Sequence, residues 1–263
     1  MSLFLAVILF HNDQEIVNEQ IEHMINNKHD IIIFNHNSND KTQELIEMAS
    51  EKYKEIIKVY ELGSDISFAT GQIFRVISSI LIKEYKDKYD WITFIESDEF
   101  LEGPKRDKSY YEYLLDVSKT NATYIQFNNI LYWFTESDDI NIKRVRDRIK
   151  YYSWFYNCGP RIYAWKAKYT NPTPFFNHNT PILAIKYPTH FNTCHYPFTS
   201  KDKYIQKLKT RKSATSGGCN CHYKKLYDER DKILKLEMEK YLFYDDGSEL
   251  KVTKNYDWKK IIY

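Results

Sequence analysis

Three acidic residues follow a short apolar run in the stretch WITFIESDEFLEGP, residues 91–104. Glu96, Asp98 and Glu99 lie within four positions, and half-buried carboxylates this close repel one another and lose solvation. On an extended chain, side chains two residues apart point the same way, so the spacing predicts that Glu96 and Asp98 converge. A hard divalent cation, which takes oxygen ligands, would neutralise the pair and leave positions open for a diphosphate. The alternative is that the acids only begin a solvated loop, so their place in the fold matters.

The first hundred residues alternate between strand and helix patterns. The continuous apolar run LFLAVILF predicts a strand covered on both faces, and DIIIF, IIKVYEL and WITFI are interpreted as the second, third and fourth strands. Apolar residues at helical spacing lie between them, in NDQEIVNEQIEHMINN, TQELIEMASEKY and ATGQIFRVISSILIKEY. We expect Asn12 or Asp13 to cap the first helix. This order predicts an α/β fold with a doubly wound, mostly parallel sheet and ligands at the carboxyl ends of its strands, where the acids lie.

The pattern after Pro104 is looser. SYYEYLLDVSK predicts a helix, ATYIQFNNILYWF a long strand, and residues 135–150 a charged loop. RIYAWK and ILAIKY are typical of short strands, HFNTCHYPF of turns, and residues 224–243 of a last helix. We therefore predict one domain in three parts: a nucleotide-binding half over 1–104, an acceptor half over 105–223, and a helix with a tail over 224–263.

Several stretches resemble, in the same order, metal-dependent glycosyltransferases with the GT-A fold, of the family 2-like and family 92-like group. DWITFIESDEFLEGP is similar to the D-x-D-E-F stretch of that group, with Glu96 in place of the first Asp. VILFHNDQEIVNEQIEHMI resembles its strand, R-N-E turn and helix, and IIIFNHNSNDKT its D-N-G-S-T-D-G-T loop. Gln72 matches a Gln before the fourth strand, and HYPFTSKDKYIQKLKT resembles a late H-Y-x-x-x-S segment. The resemblance covers about residues 3–210.

The resemblance implies transfer of a sugar from a nucleotide-diphosphate sugar to a hydroxyl of a glycan, a lipid-linked sugar or a protein, with inversion. The cofactor would be Mn²⁺ or Mg²⁺. Asp98 and Glu96 would be metal ligands, Glu96 through water or with a contact to the ribose instead. His195 would complete the site, and an imidazole suits Mn²⁺ better than Mg²⁺. His190, five residues earlier, is the competing ligand.

A second set of residues would bind the donor: Asn12, Asp13, Asn35, Asn37, Asp40, Gln72, Glu96 and Lys207. The Asn and Asp residues among them are also the types that cap helices and form turns. Asn35 replaces an Asp of the family, which leaves the nucleotide base open. Asn37 replaces a glycine, and Asn tolerates positive φ better than most residues.

Basic residues form a run after Ser200: Lys207, Lys209, Arg211 and Lys212. They would meet the charge that develops on the diphosphate, or else form a solvated helix face. Arg161 and Lys166 are open to the same two interpretations.

The catalytic base is expected in the acceptor half. Glu136 and Asp138, with Asp139, form its acid cluster before His195, and their alternative is a charged surface loop. Glu99 is the other candidate base. We expect an aromatic acceptor groove formed by Tyr132, Trp133, Tyr151, Tyr152 and Trp154.

Composition limits the other classes of function. A net charge of +2 indicates no general attraction to nucleic acid or membrane, and the apolar run Leu3–Phe10 is too short to span a bilayer. With no export signal, we expect a cytoplasmic protein. Four Cys in a chain of this length do not indicate a disulfide framework.

Two other functions stay open. Cys194 and His195 with Cys219, Cys221 and His222 could bind zinc in a protein-interaction domain, although C-x-C spacing is tighter than usual. The other is a scaffold of the same fold that binds a nucleotide or glycan without catalysis, which the Glu96 and Asn35 departures favour.

Overall fold

The computed structural model describes residues 3–64, 72–154, 160–170, 184–212 and 242–251. The chain divides into two compact units. The first contains Met1–Asn128 and Cys158–Thr193, and the second contains Asn129–Asn157 and Cys194–Tyr263. The predicted three-part division concerns binding roles and stays a prediction.

Four parallel strands form the centre of the first unit. They are β1 (Phe4–Phe10), β2 (Asp30–His36), β3 (Ile57–Leu62) and β4 (Trp91–Glu96), in the order β3-β2-β1-β4. The helices α1 (Val17–Asn26), α2 (Thr42–Lys52) and α3 (Gln72–Glu84) lie between them in the sequence. Because β4 pairs with β1 on the side opposite β2, the direction of winding reverses beside β1.

Alternate residues of β1 belong to two different apolar clusters. Phe4, Ala6 and Ile8 cluster with buried side chains of α1 and α2, whereas Leu5 and Val7 cluster with those of α3. Helices therefore cover both faces of the sheet at β1, which is why β1 is apolar throughout. The predicted α/β fold with a mostly parallel, helix-flanked central sheet of Rossmann-like type is confirmed.

Further elements extend the first unit. They are β5 (Glu99–Glu102), α4 (Tyr110–Ser118), β6 (Tyr124–Trp133), β8 (Arg161–Lys166) and β9 (Phe191–His195), of which β6 and β9 continue into the second unit. The strand β8 lies antiparallel to β4 and to the first half of β6. Ser109 and Glu112 form a capping box that begins α4.

The second unit contains β7 (Tyr151–Trp154), β10 (Phe243–Tyr244), α5 (Val145–Arg148) and α6 (Lys201–Lys212). The strand β7 is antiparallel to the second half of β6 and to β10. The segment 135–150, predicted as a loop, includes α5, because Val145 and Ile149 are buried and Arg148 donates to the Thr199 carbonyl at 2.8 Å.

Three local predictions are wrong. HFNTCHYPF contains the strand β9, because Phe191 to Cys194 are all buried and pair in a sheet. In ILAIKY, residues 184–187 show an isolated bridge between Lys186 and Tyr124. Phe243 begins β10 and does not end a helix, while residues 224–241 of that predicted helix lie outside the described residues.

His29 is buried in the turn between α1 and β2. Its Nδ1 donates to the Asn27 carbonyl at 2.7 Å, its ring stacks on Tyr110, and its Nε2 has no hydrogen-bond partner among the described residues. Burial, partly opposed by the Asn27 bond, lowers the pKa of His29 to about 4. The folded protein therefore holds this imidazole neutral at physiological pH.

We expect His29 to make stability depend on pH. Its folded pKa lies below the unfolded value, so its contribution is complete above about pH 6.5 and is lost as the pH falls toward 4. Between about pH 7.5 and 5 the loss is about 2 kcal/mol. His29→Phe should flatten this part of the curve, measured as the urea unfolding free energy at both pH values. Equal losses in the variant and the wild type would contradict the assignment.

Candidate functional site

The loops that follow β1, β2 and β4 are joined by side-chain hydrogen bonds. The Asn12 backbone N–H donates to Ser38 Oγ at 3.1 Å, and Asn39 N–H donates to Asn12 Oδ1 at 2.8 Å. Ser97 Oγ donates to Asp13 Oδ2 at 2.5 Å. These loops lie at the carboxyl ends of strands beside the reversal of winding, where ligands bind in open α/β sheets.

Asn12 and Asp13 form the loop after β1 and do not cap α1. Ile16 is the N-cap residue of α1 and makes no side-chain cap bond, so the predicted cap is wrong. Asn12 has φ 57° instead, and the Asp13 backbone N–H donates to Thr42 Oγ1 at 2.7 Å. Both residues therefore tie this loop to the segment after β2. Asn37, in that segment, has φ 49°, a conformation for which Asn is suited.

The acidic stretch turns directly after β4. Ser97 and Asp98 form the turn between β4 and β5, so the predicted extended chain through Asp98 is wrong, and the strand period does not align Glu96 with Asp98. The Ser97 N–H donates to the Leu9 carbonyl at 3.1 Å and so continues the pairing with β1. Asp98 is buried and Glu96 is half-buried. Glu96 and Asp98 therefore flank Ser97 at the carboxyl end of β4.

Glu99 begins β5 directly after this turn, and 1% of its side chain is exposed. One oxygen accepts from the Tyr163 hydroxyl at 2.6 Å and from Arg161 Nη1 at 3.1 Å. The other accepts from the Glu96 N–H at 3.2 Å. Both oxygens are thus used within the protein, which favours a supporting role for Glu99 over its predicted role as a catalytic base.

The ionisation of the Glu99 partners follows from burial and charge. Burial, followed by the Glu99 charge, raises the pKa of Tyr163 well above its ordinary value, so the phenol stays protonated and donates. Burial by itself lowers the pKa of Arg161. Interactions with Tyr163, Glu99 and Glu96 raise this pKa by more than burial lowers it. The net direction is upward, and Arg161 is a fixed positive charge beside the acids.

Asn35 and Asp40 are occupied in the loop after β2. The Asn35 amide donates to Glu61 at 2.9 Å and to Gln43, and its oxygen accepts from Ser38 Oγ at 2.6 Å. Asp40 accepts from the Thr42 N–H at 2.9 Å. Turn formation therefore accounts for these contacts, and the predicted donor contacts of both residues stay predictions.

Two other predicted residues, Gln72 and His190, belong to the first unit. Gln72 is exposed at the first residue of α3. His190 contacts Asn128 Oδ1 at 3.3 Å, and burial together with the Lys186 charge lowers its pKa. The sequence signalled neither Ser97 nor Tyr163, since a single serine or tyrosine carries no motif of its own.

The second unit holds the remaining candidates. Glu136 is exposed, whereas the half-buried Asp138 accepts from the Thr135 N–H at 2.7 Å. His195 is half-buried at the end of β9. Lys207, on α6, donates from Nζ to the Pro197 carbonyl at 3.2 Å. The other basic residues of α6 are Lys209, Arg211 and Lys212, whose side chains lie outside the described part.

The predicted aromatic groove is wrong for three of its members. Tyr132, Trp133 and Tyr152 are at most 3% exposed. Tyr132 stacks on Tyr196 with ring centroids 4.4 Å apart, and Trp133 Nε1 donates to Ser153 Oγ at 3.2 Å. These rings are buried because the second unit uses them as its apolar core. Tyr151 is half-buried, and the side chain of Trp154 lies outside the description.

Within the described ranges, no group of three or more His, Cys, Asp or Glu side chains is arranged to hold a metal ion. Glu96 and Asp98 belong to the first unit and His195 to the second. Cys194 is buried and forms no disulfide with another described residue, while Cys158, Cys219, Cys221 and His222 lie outside the described residues. In the part of the chain that the structure describes, no helix has the length and apolar character needed to cross a membrane.

Comparisons with known proteins add little. No protein-family profile matches the chain, and no curated protein matches it. Among solved structures, it is similar to a protein assigned as a glucose-1-phosphate thymidylyltransferase from Bacillus anthracis, crystallised with sucrose. The two are 9% identical over 64% of this chain and 73% of the other, with a TM-score of 0.35. A likeness this distant carries no argument about function.

Proposed function

We propose that this protein is a metal-dependent glycosyltransferase. It would move a sugar from a nucleotide-diphosphate sugar to a hydroxyl of a glycan, lipid-linked or protein acceptor, with inversion. The observation that supports this proposal is the position of the turn carrying Glu96 and Asp98, directly after β4 and beside the reversal of winding at β1. The Ser97 hydroxyl of this turn donates to Asp13, and the Asn12 N–H donates to Ser38 in the loop after β2, so hydrogen bonds join the segments that we propose to bind the donor.

The carboxylates of this turn fit a hard cation that the substrate helps to bind. Mg²⁺ and similar ions are commonly held by one or two carboxylates together with phosphate oxygens, without a complete cage of protein ligands. Glu96 and Asp98 supply such a pair, and His195 stays the proposed third ligand for Mn²⁺. A bound cation would offset the charge of the departing diphosphate.

The donor-binding residues differ in how readily they reach a ligand. Asn37 and Gln72 are exposed, and Asn12 and Asp13 are half-buried. Asn35 is 2% exposed, so it would have to exchange one internal bond for a contact with the nucleotide. Asp40 is half-buried like Asn12 and Asp13, so we place only Asn35 behind the others as a direct contact.

For the catalytic base we favour Glu136 over Asp138. Inversion needs a carboxylate that removes the proton of the acceptor hydroxyl as the donor bond breaks. Asp138 already accepts from Thr135, whereas Glu136 is exposed. Lys207 is proposed to interact with the diphosphate through its ammonium, which has three N–H donors, one of which is used by the Pro197 carbonyl.

A thermal-shift screen of nucleoside diphosphates and nucleotide sugars, with and without Mn²⁺, tests the proposal. We expect one nucleoside diphosphate to raise the melting temperature only when Mn²⁺ is present, because the cation would link the diphosphate to the carboxylates of the turn. A ligand at about 100 times its Kd stabilises the folded state by about 2.7 kcal/mol. Hydrolysis or transfer of the matching nucleotide sugar should follow. No shift with any nucleotide would contradict the proposal. Binding without turnover of any sugar would favour the non-catalytic scaffold.

A further inference from the structure

We infer that Glu99, Arg161 and Tyr163 form a carboxylate clamp that positions the turn carrying Glu96 and Asp98. The claim that the clamp helps to bind a donor and its cation depends on the proposed function. The claim that the clamp fixes the turn depends only on contacts within the first unit. In the proposed reaction these three would be positioning residues, acting through Glu96 and Asp98.

The bonds of Glu99 come from several elements. Its carboxylate accepts from Tyr163 and Arg161 on β8 and from the Glu96 N–H at the end of β4. Its backbone carbonyl accepts from the Gln20 amide of α1 at 2.8 Å. Glu99 therefore links the acidic turn to both a strand and a helix that lie far from it in the sequence.

The Glu96 N–H needs an acceptor that the sheet does not provide. The pairing of β4 with β8 runs from Trp91 to Thr93, so Glu96 lies beyond it. On the other side, the Ser97 N–H continues the pairing with β1 through Leu9. The turn is thus held by β1 on one side and by the Glu99 carboxylate on the other.

Glu99 accepts hydrogen bonds at both carboxylate oxygens, from the O–H and N–H donors of the clamp and from the Glu96 N–H. A glutamine would present an NH₂ group to one of these donors. Arg161 supplies the matching charge at 3.1 Å, and the Glu96 charge is among the causes that raise the pKa of Arg161.

The ion pair of the clamp leaves one buried polar atom without a hydrogen bond within the described part of the chain, and this favours a positioning role for the clamp. The Arg161 Nε is buried and has no hydrogen-bond partner among the described residues. A buried ion pair is often no more stable than an apolar replacement, so stability alone explains it poorly. Holding the acids of the turn in one arrangement gives the pair a use beyond stability.

Glu99→Gln tests the clamp, with Glu102→Gln as the matched control. Glu102 ends the same strand and pairs with Arg106 at 2.8 Å. In the metal-free protein we expect hydrogen exchange of the Glu96 amide to quicken about tenfold or more in Glu99→Gln, relative to the amides of β1. Affinity for Mn²⁺, titrated by loss of the free-ion electron paramagnetic resonance signal, should fall about tenfold. The control should change neither quantity.

Tyr163→Phe provides a milder variant if Glu99→Gln does not fold. It removes one donor from the clamp, keeps the ring, and should quicken exchange at Glu96 by a smaller factor. Unchanged exchange at Glu96 in every folded variant would overturn the inference and leave only a structural ion pair. If the wild type binds no Mn²⁺, the proposed function fails, while exchange at Glu96 still decides whether the clamp positions the turn.

Discussion

Asp98→Asn is expected to lower turnover of the donor by about a thousandfold while the protein stays folded. Asn has the shape of Asp but lacks its charge, so the turn loses a ligand suited to a hard cation. Without that ligand, the negative charge that develops on the diphosphate is no longer offset. Asp98 is 6% exposed, so its environment is set by the protein and the loss should not be relieved by solvent.

The measurement is the initial rate of hydrolysis or transfer at saturating donor and Mn²⁺, with thermal unfolding as the test of folding. Asp87→Asn is the matched control, because Asp87 is exposed in the turn before the same strand β4. The control should keep the wild-type rate. A wild-type rate in Asp98→Asn would place the cation site elsewhere in the chain.

Arg161→Met should lower the free energy of unfolding by about 3–5 kcal/mol, the usual cost of leaving a buried charge without its partner. The Glu99 side chain is 1% exposed and that of Arg161 is 16% exposed, so water compensates little for the lost guanidinium. Adding Glu99→Gln to this variant should recover part of the loss, because the uncompensated charge is then removed.

Urea unfolding of the wild type, both single variants and the double variant measures the coupling between the two residues. Arg144→Met is the control, since Arg144 pairs with Asp147 at 3.5 Å with both side chains more than half exposed. Such surface pairs contribute about 0–1 kcal/mol. A loss for Arg161→Met no larger than for this control would show that the buried pair contributes little to stability.

Much of the first unit could be predicted from local patterns. Apolar-rich runs located β1 to β4 within about two residues, because strands that are covered by helices need mostly apolar side chains. The helical stripes located α1, α2 and α3 for a similar reason, since each buries one face. The placement of Glu96 and Asp98 at a carboxyl end followed from the order of these elements.

Only the tertiary structure decided how the acids are held. The chain turns at Ser97 and Asp98, which a strand period cannot reveal, and the partner of Glu99 is Arg161, 62 residues away. Likewise, Tyr132 and Tyr152 are buried in the second unit, although their aromatic character favoured a place in an acceptor-binding groove. Periodicity reports which face of an element is apolar, whereas the partner of a buried charge depends on which strands become neighbours. The sequence by itself therefore determined where the acids of this protein lie, and the packing of β8 beside β4 decided which charge neutralises Glu99.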